Sequence, residues 1–592
     1  MIYAGLIHFN DTPSIADKLC PVLTDYSETP PVFLQKKSMA FCYAKLSDLQ
    51  DKDEVLENET SLMLGRVFDN TTATSLRKKD FENLSFTSPK EIFKSLWGKY
   101  VYIRSVTGYF EIIVDPTGQL PFFYYVFPNG NVLFASDIEI IFKILERTPQ
   151  YNWSYLCSYL VYGNSSAIQT PFEEIYELPP ACSLKITKND RVTEPFWNPL
   201  DACSSTSPEN TNAVNVLQSV LKPWIEPYTN ICVSLSGGLD SSSLVYCLKD
   251  ILKKDQKLIA VNYFHSKVKS SNELVHARKV CQETGIDLIE ADASSCLPFD
   301  SSTHKRSLLP NKPYPGLMSL KWIETVSECL PSDKACTFLS GHGSDHIFMR
   351  PPAKQTISDY IIDKGFRGVP LKDITAFYRD SLFPILKENI TALGGYILGW
   401  RRDKRHPKNV SDERPDWIKK ELGEKASVNF IHPIYRTLLP KILPGKYAQI
   451  DAFYEGLASI HMEANPILPT YYPYLYKPVV DFAFSFPTYD LFKEGHDRYP
   501  LRKSVSDHFN TQTVWRRDKS QTTGILQLGM KKNLDFILTL CGEGKFVKQG
   551  LIDKEGMQET INLISNGDIN YMWPFTHLAS AELFLDAWKK KF

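Results

Sequence analysis

Apolar positions in this chain change their periodicity partway along. Between residues 231 and 340, short apolar runs of strand length alternate with stretches of helical spacing. Residues 231–235 (ICVSL) predict a buried strand, and residues 243–248 (SLVYCL) predict a helix directly behind the turn that follows. Residues 257–264 (KLIAVNYF), 287–292 (DLIEAD) and 334–340 (KACTFLS) predict three more strands. Between them, residues 271–285 carry Leu274, Ala277, Val280 and Cys281 at helical spacing, and residues 317–330 predict another helix. Strands alternating with helices form a parallel sheet with right-handed crossovers, whose ligands bind outside the carboxyl ends of the strands.

Upstream the pattern is β-rich. Residues 100–113 (YVYIRSVTGYFEII) form a β-branched and aromatic run bounded by Gly98 and the turn Asp115-Pro116-Thr117-Gly118. Residues 122–126 and 132–136 flank a Pro128-Asn129-Gly130 hairpin turn, and residues 138–145 predict an apolar helix. Residues 201–212 are polar and turn-rich, as a linker is. Downstream, residues 365–446 are helix-compatible without a sharp period. Residues 451–462 predict an amphipathic helix, residues 479–484 another, and Pro500 is placed to open a third.

With 592 residues the chain needs two or three cores. Its net charge of −1 gives no electrostatic case for nucleic acid or membrane as a general partner. The opening MIYAGLIHFND lacks a basic region and meets Asp11 early, and no apolar run approaches bilayer length, so a cytoplasmic protein without membrane insertion is expected. Twelve cysteines without a C-x-x-C pair suggest neither a zinc site nor a disulfide frame.

The candidate chemistry sits at two predicted strand ends. Ser236-Gly237-Gly238-Leu239-Asp240-Ser241-Ser242 joins a strand to a helix N-terminus, where unpaired N–H groups form an anion site. The glycines admit close backbone approach and the serines add hydroxyl donors, while the Lys of an ordinary P-loop is missing. Asp240 would repel a phosphate unless a divalent cation lies between them. Ser340-Gly341-His342-Gly343-Ser344-Asp345-His346-Ile347-Phe348 forms a second glycine turn, and Asp345 supplies a second hard oxygen ligand. Two carboxylates from separate strand ends, with phosphate oxygens, suit Mg²⁺. The glycines indicate a turn here rather than a helix start. Farther on come Glu494-Gly495-His496-Asp497-Arg498-Tyr499-Pro500 and the cationic stretch Trp515-Arg516-Arg517-Asp518-Lys519-Ser520. Arg401 to Lys408 is a basic run that reads as a solvated loop.

These motifs carry a resemblance over nearly the whole chain. SGGLDSS resembles the pyrophosphate-binding loop of ATP-pyrophosphatases. With SGHGSDHIF, the Tyr-Pro-Tyr-Leu stretch and the Trp-Arg-Arg-Asp-Lys-Ser loop, it follows the order seen in asparagine synthetase-like enzymes. Within that superfamily, His342 and His496-Asp497-Arg498-Tyr499-Pro500 look most like lasso peptide cyclases. The resemblance implies a mixed α/β protein. Residues 1–205 would form a class II glutamine amidotransferase-like (Ntn) β-sandwich, and residues 206–592 an ATP-pyrophosphatase domain with a parallel sheet flanked by helices. Ile2 stands where the glutaminase nucleophile belongs, so glutamine hydrolysis is not expected.

The implied reaction adenylates an Asp or Glu side chain of a precursor peptide with Mg-ATP, and the core peptide's N-terminal amine then closes a macrolactam. The resemblance places Leu235, Val261, Ser340 and Gly341 on the adenine and ribose side. It places Ser236, Gly237, Gly238, Ser241 and Ser242 on pyrophosphate, Asp240 and Asp345 on Mg²⁺, and Lys519 on the charge that develops in the transition states. His342 is the candidate for the amine proton, and Arg498 or Arg502 the alternative cation. A leader peptidase and a leader-binding protein are the implied partners. A β-lactam synthetase-like or other small-molecule amide ligase, and a non-catalytic scaffold, are the rival readings.

Overall fold

The computed structural model describes the whole chain except residues 10–13, 47–51, 85, 164, 205–211, 267, 269–270, 303–307, 332–333, 379–381, 400–414, 427–429, 439–441, 461–466 and 518–522. Strands upstream of residue 200 build two six-stranded sheets. The first comprises β1 (Ile2–Ile7), β2 (Val32–Lys36), β3 (Met39–Ala44), β8 (Phe123–Val126), β9 (Val132–Ala135) and β10 (Ile175–Glu177), ordered β10-β8-β9-β1-β3-β2. The second comprises β4 (Glu54–Glu57), β5 (Ser61–Asp69), β6 (Leu96–Val106), β7 (Tyr109–Val114), β11 (Cys182–Ile186) and β12 (Arg191–Pro195), ordered β12-β11-β7-β6-β5-β4.

The residues explain the layering. Along β1, Tyr3 and Ile7 point into the aromatic core between the sheets, where Phe41, Phe122 and Phe134 stack. Ile2, Ala4 and Leu6 point the other way, into a helical layer that includes Ile138–Leu145, Trp153–Tyr162 and the last helix, Met572–Lys591. A strand covered on both faces loses the polar alternation of a surface strand, so IYAGLI reads as one unbroken apolar run. The outer face of the second sheet shares a core with the downstream half of the chain. Trp224, on the helix Ala213–Ile225, is the hinge of that contact. Its ring lies 5.7 Å from Phe68, 4.6 Å from Tyr471 and 5.0 Å from Tyr476, with the Arg66 guanidinium 4.6 Å over it.

Downstream, β13 (Asn230–Ser234), β14 (Lys257–Phe264), β15 (Asp287–Asp292), β16 (Cys336–Leu339) and β17 (Thr470–Tyr471) form a parallel sheet ordered β15-β14-β13-β16-β17. The chain runs outward from β13 through β14 to β15, then returns to pair β16 on the other side of β13. That reversal makes a switch point between β13 and β16, the place where such sheets bind ligands.

Several expectations are corrected. The run 100–113 is a hairpin, β6 and β7, turned at Thr107-Gly108, where Gly108 has φ +87°. β-branched and aromatic residues on both sides of that turn hid the break. The helix expected at 451–462 spans Pro444–Ala458, opened by Pro444. Nine of its residues are buried, which blurs the amphipathic signal. Cys20 and Cys42 form a disulfide linking the helix Leu19–Thr24 to β3, although spacing alone suggested none.

Because Trp224 is 1% exposed and touches both halves, Trp224→Ala should destabilise the protein by about 3–5 kcal/mol. Urea unfolding followed by fluorescence and by far-UV circular dichroism should give one coincident transition at a lower midpoint. Two separated transitions in the wild type would show that the halves do not share a core.

Candidate active site

The first strand-end loop is held open by backbone and side-chain bonds. Leu235 N–H donates to the Val261 carbonyl at 2.8 Å, and the Leu235 carbonyl accepts from buried Asn262 Nδ2 at 2.6 Å. Gly237 has φ +71°, and a Cβ there would lie 2.5 Å from the His276 carbonyl carbon, so both conformation and space require glycine. Gly238 caps the helix Leu239–Ile251. Ser236 N–H donates to Ser241 Oγ at 3.2 Å, and Gly238 N–H donates to Ser236 Oγ at 3.3 Å. The side chain of Ser242 is buried, and its Oγ makes no hydrogen bond among the described residues. Backbone N–H groups at a helix N-terminus, ringed by three serines, suit a phosphate oxygen.

The second loop begins where β16 ends. Ser340 N–H donates to the Tyr471 carbonyl at 2.9 Å, and His342 N–H to Ser340 Oγ at 3.2 Å. Gly341 lies against the first loop: a Cβ there would stand 2.8 Å from Ser241 N and 3.0 Å from the Asp240 carbonyl carbon. Gly343, with φ +100°, opens a one-turn helix, Ser344–Ile347. The turn expected from the glycines therefore ends in helix, and it places Asp345 and His346 on that turn with His342 before it. His342 Nε2 lies 3.2 Å from the Gly456 carbonyl and 3.0 Å from Ser459 Oγ. A carbonyl only accepts, so Nε2 carries the hydrogen and Nδ1 the lone pair. Burial and the neighbouring His346 hold the His342 pKa below the ordinary imidazole value.

The loop residues thus converge at the switch point, and Arg498, from much later in the chain, joins them. Its Nη1 lies 2.6 Å from both carboxylate oxygens of Asp240, and the side chain is 1% exposed. Arg498 caps the helix Tyr499–Phe509 in a left-handed conformation, with Pro500 in the first turn as expected. Asp497 lies 2.6 Å from Arg502, 3.4 Å from Arg350 and 3.5 Å from Arg498. Burial opposes charge on Arg498, but Asp240, Asp497 and Asp345 outweigh it and hold its pKa above the ordinary arginine value. The Tyr474 hydroxyl donates to the Asp240 carbonyl at 3.0 Å.

Arg502 is engaged by Asp497 and by the Val514 and Arg516 carbonyls, so it is structural rather than a free alternative cation. Arg516, which sequence reasoning passed over, pairs with Glu273 at 2.5 Å and reaches the Gly237 carbonyl at 3.4 Å. Its signal was its place beside Lys519 in the cationic stretch. Lys519 and the basic run 401–408 lie outside the described residues. Among the described residues no helix is long and apolar enough to cross a membrane.

Asp240 pairs directly with Arg498, and the charge of Asp345 also raises the Arg498 pKa, so both carboxylates lie near that guanidinium and offer hard oxygen donors of the kind Mg²⁺ takes. Among the described residues no three His, Cys, Asp or Glu side chains converge, so water and phosphate would complete such a cation's shell.

Comparison with known proteins follows the same division. Residues 228–360 and 454–590 match the asparagine synthase family, and residues 90–197 match the glutamine amidotransferase domain. The chain is 22% identical over 475 residues to the microcin J25-processing protein McjC of Escherichia coli, covering 77% of this chain and 81% of that protein. Among solved structures, an allosteric regulatory enzyme of purine biosynthesis is 10% identical, covering 52% of this chain and 84% of its own at a TM-score of 0.22. Glutamine phosphoribosylpyrophosphate amidotransferase from B. subtilis is 11% identical, covering 61% of this chain and 78% of its own at a TM-score of 0.21. At those scores neither superposition carries weight.

Gly341→Ala tests the contact between the loops. The added methyl meets backbone, which yields less easily than a side chain, so one loop must move. ATP affinity measured by calorimetry should fall at least tenfold while circular dichroism stays unchanged. Unchanged affinity would mean that the loops do not act together.

Proposed function

We propose that this chain, an ATP-dependent amide ligase with an asparagine synthase domain, closes the macrolactam ring of a lasso peptide. The observation that carries the reading is its 475-residue similarity to a microcin-processing protein, spanning four-fifths of that protein. His342 and the Asp497-Arg498-Tyr499-Pro500 segment at the site support it. Residues 1–205 would be the glutaminase-like unit, with buried Ile2 in the nucleophile's place, and residues 206–592 the synthetase unit.

In this reading the adenine and ribose lie along Leu235, Val261, Ser340 and Gly341. The serines and glycines of 236–242 hold the β- and γ-phosphates against the helix N-terminus. A side-chain carboxylate of the peptide attacks the α-phosphorus, and the bond to the β-phosphate oxygen breaks. Mg²⁺ on Asp240 and Asp345 would offset the repulsion between these anions. The peptide's α-amine then attacks the acyl carbon, and AMP leaves as the amide forms. An α-amine has a pKa of about 7.7–8.0, so an appreciable part is already neutral at pH 7. His342 Nδ1, with its lone pair and lowered pKa, is suited to take the proton that the amine sheds. Lys519 would face the charge that builds on phosphate and on the tetrahedral carbon. A leader peptidase and a leader-binding protein would present the threaded peptide, since the two ends must be held together to react.

The test is mass spectrometry of the precursor peptide with Mg-ATP and the partner proteins, read as loss of one water. Asp240→Asn and Asp345→Asn should each abolish product and pyrophosphate release. Lys519→Met should slow cyclisation by about 10²–10³, the effect of removing one transition-state contact, while ATP binds within several-fold of wild type. Near-normal cyclisation by Lys519→Met would remove that residue from the chemistry. Adenylation of small carboxylates but never of peptide would favour a small-molecule ligase.

A further inference from the structure

Arg498 makes a contact that the proposed reaction does not use. Its Nη1 is equidistant, at 2.6 Å, from both oxygens of Asp240, the carboxylate assigned to the metal. The guanidinium therefore covers the face through which that carboxylate would bind a cation. We infer that Arg498 is a placeholder for the divalent metal: it neutralises Asp240 before nucleotide arrives and yields the carboxylate only when metal and ATP enter together. The inference rests on the assignment of Asp240 and Asp345 to Mg²⁺.

Charge balance gives the reason. Three carboxylates, Asp240, Asp345 and Asp497, stand among three guanidinium groups, Arg350, Arg498 and Arg502. The cluster is neutral without a metal, so a divalent ion alone would leave it with two excess positive charges in a largely buried place. ATP brings the compensating negative charge, so metal and nucleotide are favoured only as a pair.

The exchange also leaves no charge stranded. Arg498 Nη2 lies 3.5 Å from Asp497, which Arg502 and Arg350 hold in place. When Nη1 gives up Asp240, the guanidinium keeps that second counter-ion. Its Nε, buried and without a hydrogen-bond partner among the described residues, ties it to nothing else, so the group can turn on Asp497. Nη1 is then free to donate to a phosphate oxygen.

Mn²⁺, a paramagnetic stand-in for Mg²⁺, makes the exchange visible without turnover. The full-length protein would be titrated with Mn²⁺ by electron paramagnetic resonance, with and without α,β-methylene-ATP. Wild type should bind Mn²⁺ at least tenfold more weakly without nucleotide. Arg498→Gln should bind it at least tenfold more tightly than wild type in the nucleotide-free state. Arg498→Lys, which keeps the charge with fewer donors, should fall between them and serves if the Gln variant does not fold. Lys503→Gln, on the exposed face of the helix that Arg498 caps and paired with Asp507 rather than with the cluster, should behave as wild type. Equal nucleotide-free affinities in wild type and both Arg498 variants would overturn the placeholder role, as would tight nucleotide-free binding by wild type. A failure of the metal assignment looks different: Asp345→Asn would then bind Mn²⁺ with nucleotide as well as wild type does.

Discussion

Two backbone turns meet at Gly341, and the site depends on that meeting. β13 and β16 are paired neighbours, with Val233 opposite Leu339, so their carboxyl ends emerge side by side. Neighbouring strands stand about 4.8 Å apart, too close for two loops to pass if both carry side chains at the crossing. The missing Cβ at Gly341 lets the second loop lie on the backbone of Asp240 and Ser241. That contact packs the second loop against the glycine turn that follows β13. The one-turn helix after Gly343 carries Asp345 and His346, while the C-terminal end of Pro444–Ala458 holds His342 through the Gly456 carbonyl.

What could be read from residues alone was whatever had a period or a glycine signature. β14 and β15 run over the residues that their apolar pattern predicts, and so does the helix Ile138–Leu145. Both strand-end loops were visible because glycine, serine and aspartate at a strand-to-helix junction have few other uses. The tertiary partners were not visible. β17 has two residues, too few for any period, and it enters the sheet from more than a hundred residues downstream of β16. The Asp240–Arg498 pair spans 258 positions, and local pattern carries no information about such a pairing. Arg502, named from sequence as an alternative cation, is taken up by Asp497 and two backbone carbonyls, whereas Arg516, which had no role of its own from sequence, reaches the Gly237 carbonyl.

The arginine cluster places its cost where it is useful. Burying the guanidinium groups of Arg498 and Arg502 is unfavourable unless each finds a carboxylate, and Asp497 serves both as well as the part-exposed Arg350. The backbone takes a left-handed turn at Arg498, a conformation unfavourable for a side chain with a Cβ, to bring that group beneath Asp240. Local unfavourable geometry of this kind persists only where surrounding contacts enforce it.

The Trp224 contact separates two histories that one polypeptide records. A reactive group at the mouth of the first sheet serves a reaction, and Ile2, wholly buried in β1, leaves the packing of its neighbours intact. The aromatic residues on the second sheet serve the core of the other half, because Phe68, Trp97 and Tyr100 close over Trp224 and Tyr476. Drift at the first position is silent for folding, whereas drift at the second exposes the parallel sheet's shared core to water. The second sheet is therefore held by the packing it gives to the half of the chain beside it.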